Sequence, residues 1–230
     1  MRYSALLQAS PALAEWGGGL LRLLGLISIL VAAVFILFQH DGKRLLAYHS
    51  VEHLGIIALG LGLGGLGRFA ALFHALNHSL CKSTGFFCMG RLGRLYGSND
   101  LRRISGAAQS DRVWGGGLFF SFLALLGAAP FAIFLSELLI VKAALDQGAY
   151  AALLVFLAGT SIIFVSALRH AIGAALGEPP PGLRSEGKTG PAEAAVVLAP
   201  LAALLVMGLW MPEPLRAVLE RAAAILGGRP

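Results

Sequence analysis

The sequence predicts an all-α fold: a polytopic membrane helix bundle of about seven transmembrane helices, one of them broken near Pro130, in a single membrane domain over residues 1–230. Three observations carry that expectation. Of the 230 residues 57% are hydrophobic and only 13% charged, with a mean hydropathy of +0.77, a balance that excludes an ordinary soluble domain. Apolar runs near 17–39, 45–65, 68–91, 149–175 and 192–211 approach or exceed the roughly 20 residues a helix needs to cross a bilayer. The run 113–147 is too long for one crossing, and Pro130, which has no amide hydrogen to continue a helical ladder, divides it into two segments of about 17 residues.

The first fifteen residues lack the basic-then-apolar pattern and the cleavage site of a secretory leader, so insertion is expected to use the first hydrophobic helix. That helix, Leu20 to Phe38, is uniformly apolar apart from Arg22 and serves packing. Trp16, Trp114 and Trp210 suit interfacial positions at helix ends. The net charge of +6 is better read as topology than as affinity for nucleic acid. With seven spans, Lys43, Arg44, Arg94, Arg102, Arg103, Arg112, Arg216, Arg221 and Arg229 share one side, against Arg2, Arg68, Arg169, Arg184 and Lys188 on the other. The positive-inside rule then places the first group in the cytoplasm.

Between His40 and His53 seven of fourteen positions are acidic, basic or imidazole, and the stretch leads straight into an apolar run. Lys43 and Arg44 fit a cytoplasmic anchor whose long stems reach the lipid headgroups as well as they fit a path. Glu52 and His53 lie about two turns deeper, where an unpaired charge is expensive, and read as a buried acid–imidazole pair able to share a proton. Gly60–Gly67 contains a formal G-x-G-x-x-G match, but no strand precedes it. Close helix approach, or a helix end and turn before Arg68, explains these glycines better.

The third apolar run carries His74, His78 and Lys82, spaced four apart. On a helix they form one row that climbs roughly 6 Å per step, so all three can face a common neighbour. Two neutral histidines alone would serve as interhelical hydrogen-bonding groups, but a lysine near mid-span turns the balance towards a proton path. Beyond the polar loop 92–112, Pro130 interrupts the backbone at membrane depth, a feature tolerated where it lines a cavity. Glu137 follows about two turns on, an acid beside a broken helix being a common ion-pathway arrangement, whereas Lys142 fits an interfacial anchor equally well. Arg169 and His170, at the end of the 149–175 run, read as an interfacial pair, and Glu178-Pro179-Pro180-Pro181-Gly182 after them stops that helix. After Pro212 and Pro214, the stripe Leu215, Val218, Leu219, Ala222, Ile225 and Leu226 reads as an amphipathic helix on the membrane or on a partner.

The stretch Asp41-Gly42-Lys43-Arg44-Leu45-Leu46-Ala47-Tyr48-His49-Ser50-Val51-Glu52-His53-Leu54-Gly55 resembles the D-x-K-R-x-x-A-Y-S-S-x-x-x-x-G motif of the proton-pumping, antiporter-like membrane subunits of respiratory complex I and related hydrogenases. The likeness continues through His74 to Ser83 and Pro130 to Glu137, and the form around Glu52 looks most like the hydrogenase-4 and formate-hydrogenlyase component. The resemblance implies a helical subunit of a prokaryotic-type cytoplasmic (inner) membrane in which a chain of protonatable residues moves protons, coupled to electron transfer in partner membrane and peripheral subunits. By position, Lys43 matches a lysine of that chain, His74, His78 and Lys82 match its connecting residues, and Glu137 matches the charged residue on a broken helix. With Glu52 and His53 these seven form the expected proton pathway. His49, where the motif usually has serine, adds a titratable group. Family members have about fourteen spans in two inverted five-helix repeats. The chain resembles the second repeat with its C-terminal flank, Met1–Leu7 looking like the tail of a preceding helix, which points to a half-subunit or fragment.

No catalytic residue, cofactor or metal is expected. Cys81 and Cys88, seven apart on one helix and so about 10 Å apart along its axis, are beyond disulfide reach and too few for a cluster. A cation/proton antiporter on the same scaffold and a non-conducting scaffold fragment are the competing expectations, with membrane lipid and neighbouring subunits as partners and no nucleic acid.

Overall fold

Asp41 accepts hydrogen bonds from the amides of Lys43 and Arg44 and so starts a helix where the apolar pattern begins, and Asp111 does the same for Val113 and Trp114. The computed structural model describes residues 10–183 and 189–228, and every regular element among them is helical. In chain order these are α1 (Pro11–Phe38), α2 (Gly42–Leu63), α3 (Gly65–Leu95), the single turn α4 (Ala107–Ser110), α5 (Arg112–Leu125), α6 (Ala132–Asp146), α7 (Tyr150–Leu176), α8 (Pro191–Leu209) and α9 (Glu213–Leu226). Residues Met1–Leu7, with the suggested tail of a preceding helix, and the charges Arg2, Arg184, Lys188 and Arg229 lie outside the described residues.

Four helices, Ala12–Phe38, Gly42–Leu63, Tyr150–Leu176 and Pro191–Leu209, are long and apolar enough to cross a membrane. The third helix is long, at 31 residues, but its row of polar side chains lowers its mean hydropathy. The segment 113–147 departs from the two spans expected of it. Helices α5 and α6 hold 14 and 15 residues, roughly 21–23 Å each, short of a hydrocarbon core about 30 Å thick. They run end to end through the bundle. At one end Asp111, before α5, accepts a hydrogen bond from Thr189, and at the other Gln147, after α6, donates to the Leu63 carbonyl. The pair therefore makes one interrupted pass.

That single pass reorders the two ends of the bundle. Residues 39–42 meet the 96–106 loop through Gly42 N to Asn99 O and Leu101 N to His40 O, both 2.8 Å. Arg102 pairs with Asp100 in the same loop at 2.7 Å and holds that carboxyl down at about 2. His170, late in α7, meets the His40 ring edge-on at 5.4 Å, so the end of α7 belongs with this loop cluster. Helix α9 instead lies at the opposite end, where Gly227 abuts the Arg68 guanidinium. Arg169 thus joins Lys43, Arg44, Arg102 and Arg103, while Arg216 and Arg221 join Arg68, the reverse of the seven-span grouping.

Glycine sets how closely the first three helices pack. A Cβ on Gly25 would come 2.6 Å from the Gly55 carbonyl oxygen, and one on Gly62 would come 2.6 Å from that of Gly18, so α1 and α2 touch backbone to backbone at two points seven residues apart. The 60–67 glycines fulfil both expectations: Gly60 and Gly67 pack against each other, and Gly64 and Gly65, with φ of +72° and +45°, form the turn between α2 and α3. Gly25→Val is expected to lose about 1–3 kcal/mol of stability by overpacking, measured as an earlier thermal unfolding in detergent; an unchanged midpoint would refute the close approach.

Two tryptophans fit the sequence expectation and one does not. Trp16 and Trp210 are exposed at helix ends, whereas Trp114 is buried with Leu118 and Phe122 in the core. The amphipathic stripe of α9 divides, Leu219 and Leu226 facing the bundle and Val218 and Ile225 facing out.

Candidate functional site

Helices α2, α3 and α6 meet around a buried polar core. The first brings His49, Glu52 and His53 on one face, because positions three and four apart are neighbours on a helix. The second brings His74, Asn77, His78 and Lys82 by the same spacing. The third begins at Ala132, just beyond Pro130, and brings Ser136 and Glu137 within its second turn.

Side chains join across these helices. His49 Nδ1 meets a Glu52 carboxylate oxygen at 2.7 Å, and His53 Nδ1 meets His74 Nε2 at 2.8 Å. His74 Nδ1 in turn meets Ser136 Oγ at 2.8 Å, linking all three helices. The His78 ring lies 4.7 Å from that of His53, and the His49 and His53 rings are 6.2 Å apart. Lys82 Nζ donates to the Leu46 carbonyl, with the Phe86 ring centroid 5.2 Å away. His49, His53, His74, Asn77 and Ser136 are fully buried, and Glu52 and Lys82 keep 3% and 7% of their surface, which makes this polar cluster too costly to be incidental in an apolar bundle.

The break in the α5–α6 pass shapes the cluster's far side. Residues 126–131 are non-helical, with a cis Ala129–Pro130 peptide and Gly127 at φ +65°. A Cβ on Gly127 would come 2.2 Å from a Glu137 carboxylate oxygen, so this glycine makes the room in which the carboxylate lies. Asn77 Nδ2 donates to the Ala132 carbonyl at 3.3 Å and ties the start of α6 to α3. Donor atoms of His53, His74 and Glu137 all lie within 4.8 Å of one another, as do those of His49, Glu52 and His53. Imidazole and carboxylate donors suit zinc, whose bonds of about 2.1 Å hold tetrahedral ligand atoms about 3.4 Å apart. The shorter His–Glu and His–His contacts here are hydrogen bonds.

Six of the seven expected pathway residues therefore converge: Glu52, His53, His74, His78, Lys82 and Glu137. Lys43 does not join them. It is exposed in the first turn of α2, nine positions before Glu52, close to the loop-rich end of the bundle. Lys142 pairs with Asp146 at 3.0 Å on the surface, as an anchor would. His49 proves to be Glu52's bonded partner, and its place in the motif already flagged it. Ser136 was not anticipated, because a serine one position before an acid carries no signal until α3 is brought against it.

Residues 1–163 match the family described as NADH:quinone oxidoreductase/Mrp antiporter, transmembrane. The chain is 41% identical over 145 residues to the hydrogenase-4 component F homolog of Methylacidiphilum infernorum, an alignment covering 63% of this chain and 30% of that protein. It superposes on a chain of the membrane-bound sulfane sulfur reductase, an archaeal respiratory membrane complex, with a TM-score of 0.86 and 25% identity, covering 99% of this chain and 46% of that one. On a chain of respiratory complex I from Thermus thermophilus the TM-score is 0.80 at 26% identity, covering 94% and 47%. The chain thus spans about a third of that relative and under half of either structural neighbour. With four apolar spans and a matching family over most of its length, it is an integral membrane protein that belongs to the NADH:quinone oxidoreductase/Mrp antiporter transmembrane family.

Proposed function

We propose that the chain moves protons across the membrane as part of a redox-driven complex of the NADH:quinone oxidoreductase or hydrogenase-4 type, with electron transfer carried out by partner subunits. The observation that carries this reading is the succession of buried Glu52, His49, Lys82, His53 and His74 with half-buried His78 and Glu137 between α2, α3 and α6. Each of these groups can gain and lose a proton, and neighbours at hydrogen-bond distance or one water apart can pass it on. Lys43 stands at the end of α2 as an entry group, and Glu137 beside the helix break is the exit from the cluster.

In this reading α1, α2, α3, the α5–α6 pair, α7 and α8 cross the bilayer of a prokaryotic-type cytoplasmic membrane. Lys43, Arg44, Arg94, Arg102, Arg103 and Arg112 put the loop-rich end in the cytoplasm by the positive-inside rule. The outward apolar face of α1, with Leu23, Ile27 and Val34, contacts lipid or a neighbouring subunit.

Glu137→Gln keeps the shape of the side chain and removes its proton chemistry. In the assembled complex, proton translocation in vesicles falls at least tenfold while subunit composition is unchanged; full translocation would refute the assignment. The family's description also names Mrp antiporters, which favours a second reading as a cation/proton antiporter subunit. Sodium- or potassium-dependent proton movement in vesicles without an electron donor would select it.

A further inference from the structure

We infer that Ser136 is a positioning residue that fixes the tautomers of His74 and His53, holding both rings protonated on Nδ1 and leaving Nε2 of His53 free to accept a proton. A serine hydroxyl has one proton to donate. Ser136 donates it to the Ile133 carbonyl at 2.7 Å. Towards His74, 2.8 Å away, the same oxygen is therefore an acceptor, and His74 carries its proton on Nδ1. His74 Nε2 is then bare and accepts from His53, whose proton is also on Nδ1, at 2.8 Å. Nε2 of His53, buried and without a hydrogen-bond partner among the described residues, is left as a free lone pair.

The opposite polarity ends badly. If Ser136 donated to His74, each ring would be protonated on Nε2, and the row would close on a buried His53 N–H with no acceptor at hydrogen-bond distance among the described residues. An orphaned buried donor is rarer and costlier than an orphaned acceptor.

Resting on the proton-carrying reading, this polarity assigns the steps. A proton arriving at His53 forms an Nε2–H bond and an imidazolium. The same bond then breaks as the proton passes, by way of one water, to the Glu137 carboxylate, which shares this pocket with the two rings, one nitrogen each of His53 and His74 and a Glu137 oxygen lying within 4.8 Å of one another; this restores neutral His53 and leaves a carboxylic acid. Throughout, the Nδ1–H of His53 stays on His74. In this step the His74–Ser136 branch releases no proton of its own and holds the His53 ring.

The test is nitrogen-15 NMR of the full chain, labelled at histidine and reconstituted in bilayers, with His53 and His74 assigned through His53→Gln and His74→Gln. His74 and His53 are expected as Nδ1-protonated neutral rings, His74 reverting to the Nε2-protonated form in Ser136→Ala and keeping Nδ1 in Ser136→Thr. An Nε2-protonated His74 in the unaltered chain overturns the inference, and so does a Ser136→Ala variant whose tautomers do not change. Proton movement in the complex falls at least tenfold in Ser136→Ala and is largely retained in Ser136→Thr; unchanged movement in Ser136→Ala overturns the assigned steps. Tautomers as expected in a complex that moves no protons would strike the proton-carrying reading and leave the tautomer assignment standing.

Discussion

Lys82→Ala in the assembled complex lowers proton translocation at least tenfold while the subunits still assemble. Lys82 is the one lysine in the cluster, 93% buried, and its ammonium reaches from α3 to a backbone carbonyl of α2. That carbonyl belongs to Leu46, inside a helix, and Glu52, the buried acid within electrostatic reach of the ammonium, is bonded to His49 rather than to the lysine, so removing Lys82 breaks no direct ion pair among the described residues. Breaking a direct buried ion pair leaves an uncompensated charge and costs several kcal/mol, whereas deleting an ammonium held by a backbone carbonyl removes a charge that was itself expensive to bury. Assembly should survive for that reason. Lys82→Arg separates two roles. A guanidinium keeps its proton at any working pH, so it preserves a fixed positive charge and abolishes proton release. If Lys82 carries protons, both variants fail in the vesicle assay; if it serves only as a charge, arginine restores translocation. Normal translocation in both variants would remove Lys82 from the path.

The second large effect comes from a residue with no proton chemistry. A Cβ on Gly208 of α8 would come 2.0 Å from the Pro130 carbonyl oxygen and 2.7 Å from the Ala132 amide nitrogen. Both atoms are backbone at the interruption between α5 and α6, so no side-chain rotation relieves the clash. Gly208→Ala must push α8 away or shift the start of α6, and a core too tight by one methyl costs about 1–3 kcal/mol. Shifting α6 strains the Asn77 contact with Ala132 and moves Ser136 and Glu137, which follow within its first two turns. The expected result is an earlier thermal unfolding of the detergent-solubilised protein together with reduced translocation. Gly173→Ala on α7 is the control, since a Cβ there meets nothing within 4 Å, and it should change neither. Equal behaviour of the two variants would show that the break tolerates displacement.

Local sequence carried much of the architecture. The helices follow from apolar runs, and their ends follow from Asp41, Asp111, Pro191 and the glycines at 64 and 65. Helical spacing alone put Glu52 with His53, and His74 with His78 and Lys82, on common faces. Periodicity reports only which side chains share a face, however, and says nothing about which helix lies opposite. Pro130 marks an interruption equally well whether the chain turns back there or continues through. Only the contacts of Asp111 and Gln147 at opposite ends decide that it continues.

What the sequence by itself determined, then, is an all-helical membrane chain with protonatable residues at buried depth in three ordered motifs, because hydropathy and helical period are properties of neighbours along the chain. The tertiary structure alone decided that α5 and α6 make a single pass, that α9 returns to the Arg68 end, that Lys43 stands outside the cluster, and that His53, His74 and Ser136 form one hydrogen-bonded row. Those facts join residues 21 and 62 positions apart. Such contacts depend on how closely glycines let the helices approach and on where an interrupted helix resumes, neither of which has a local signature.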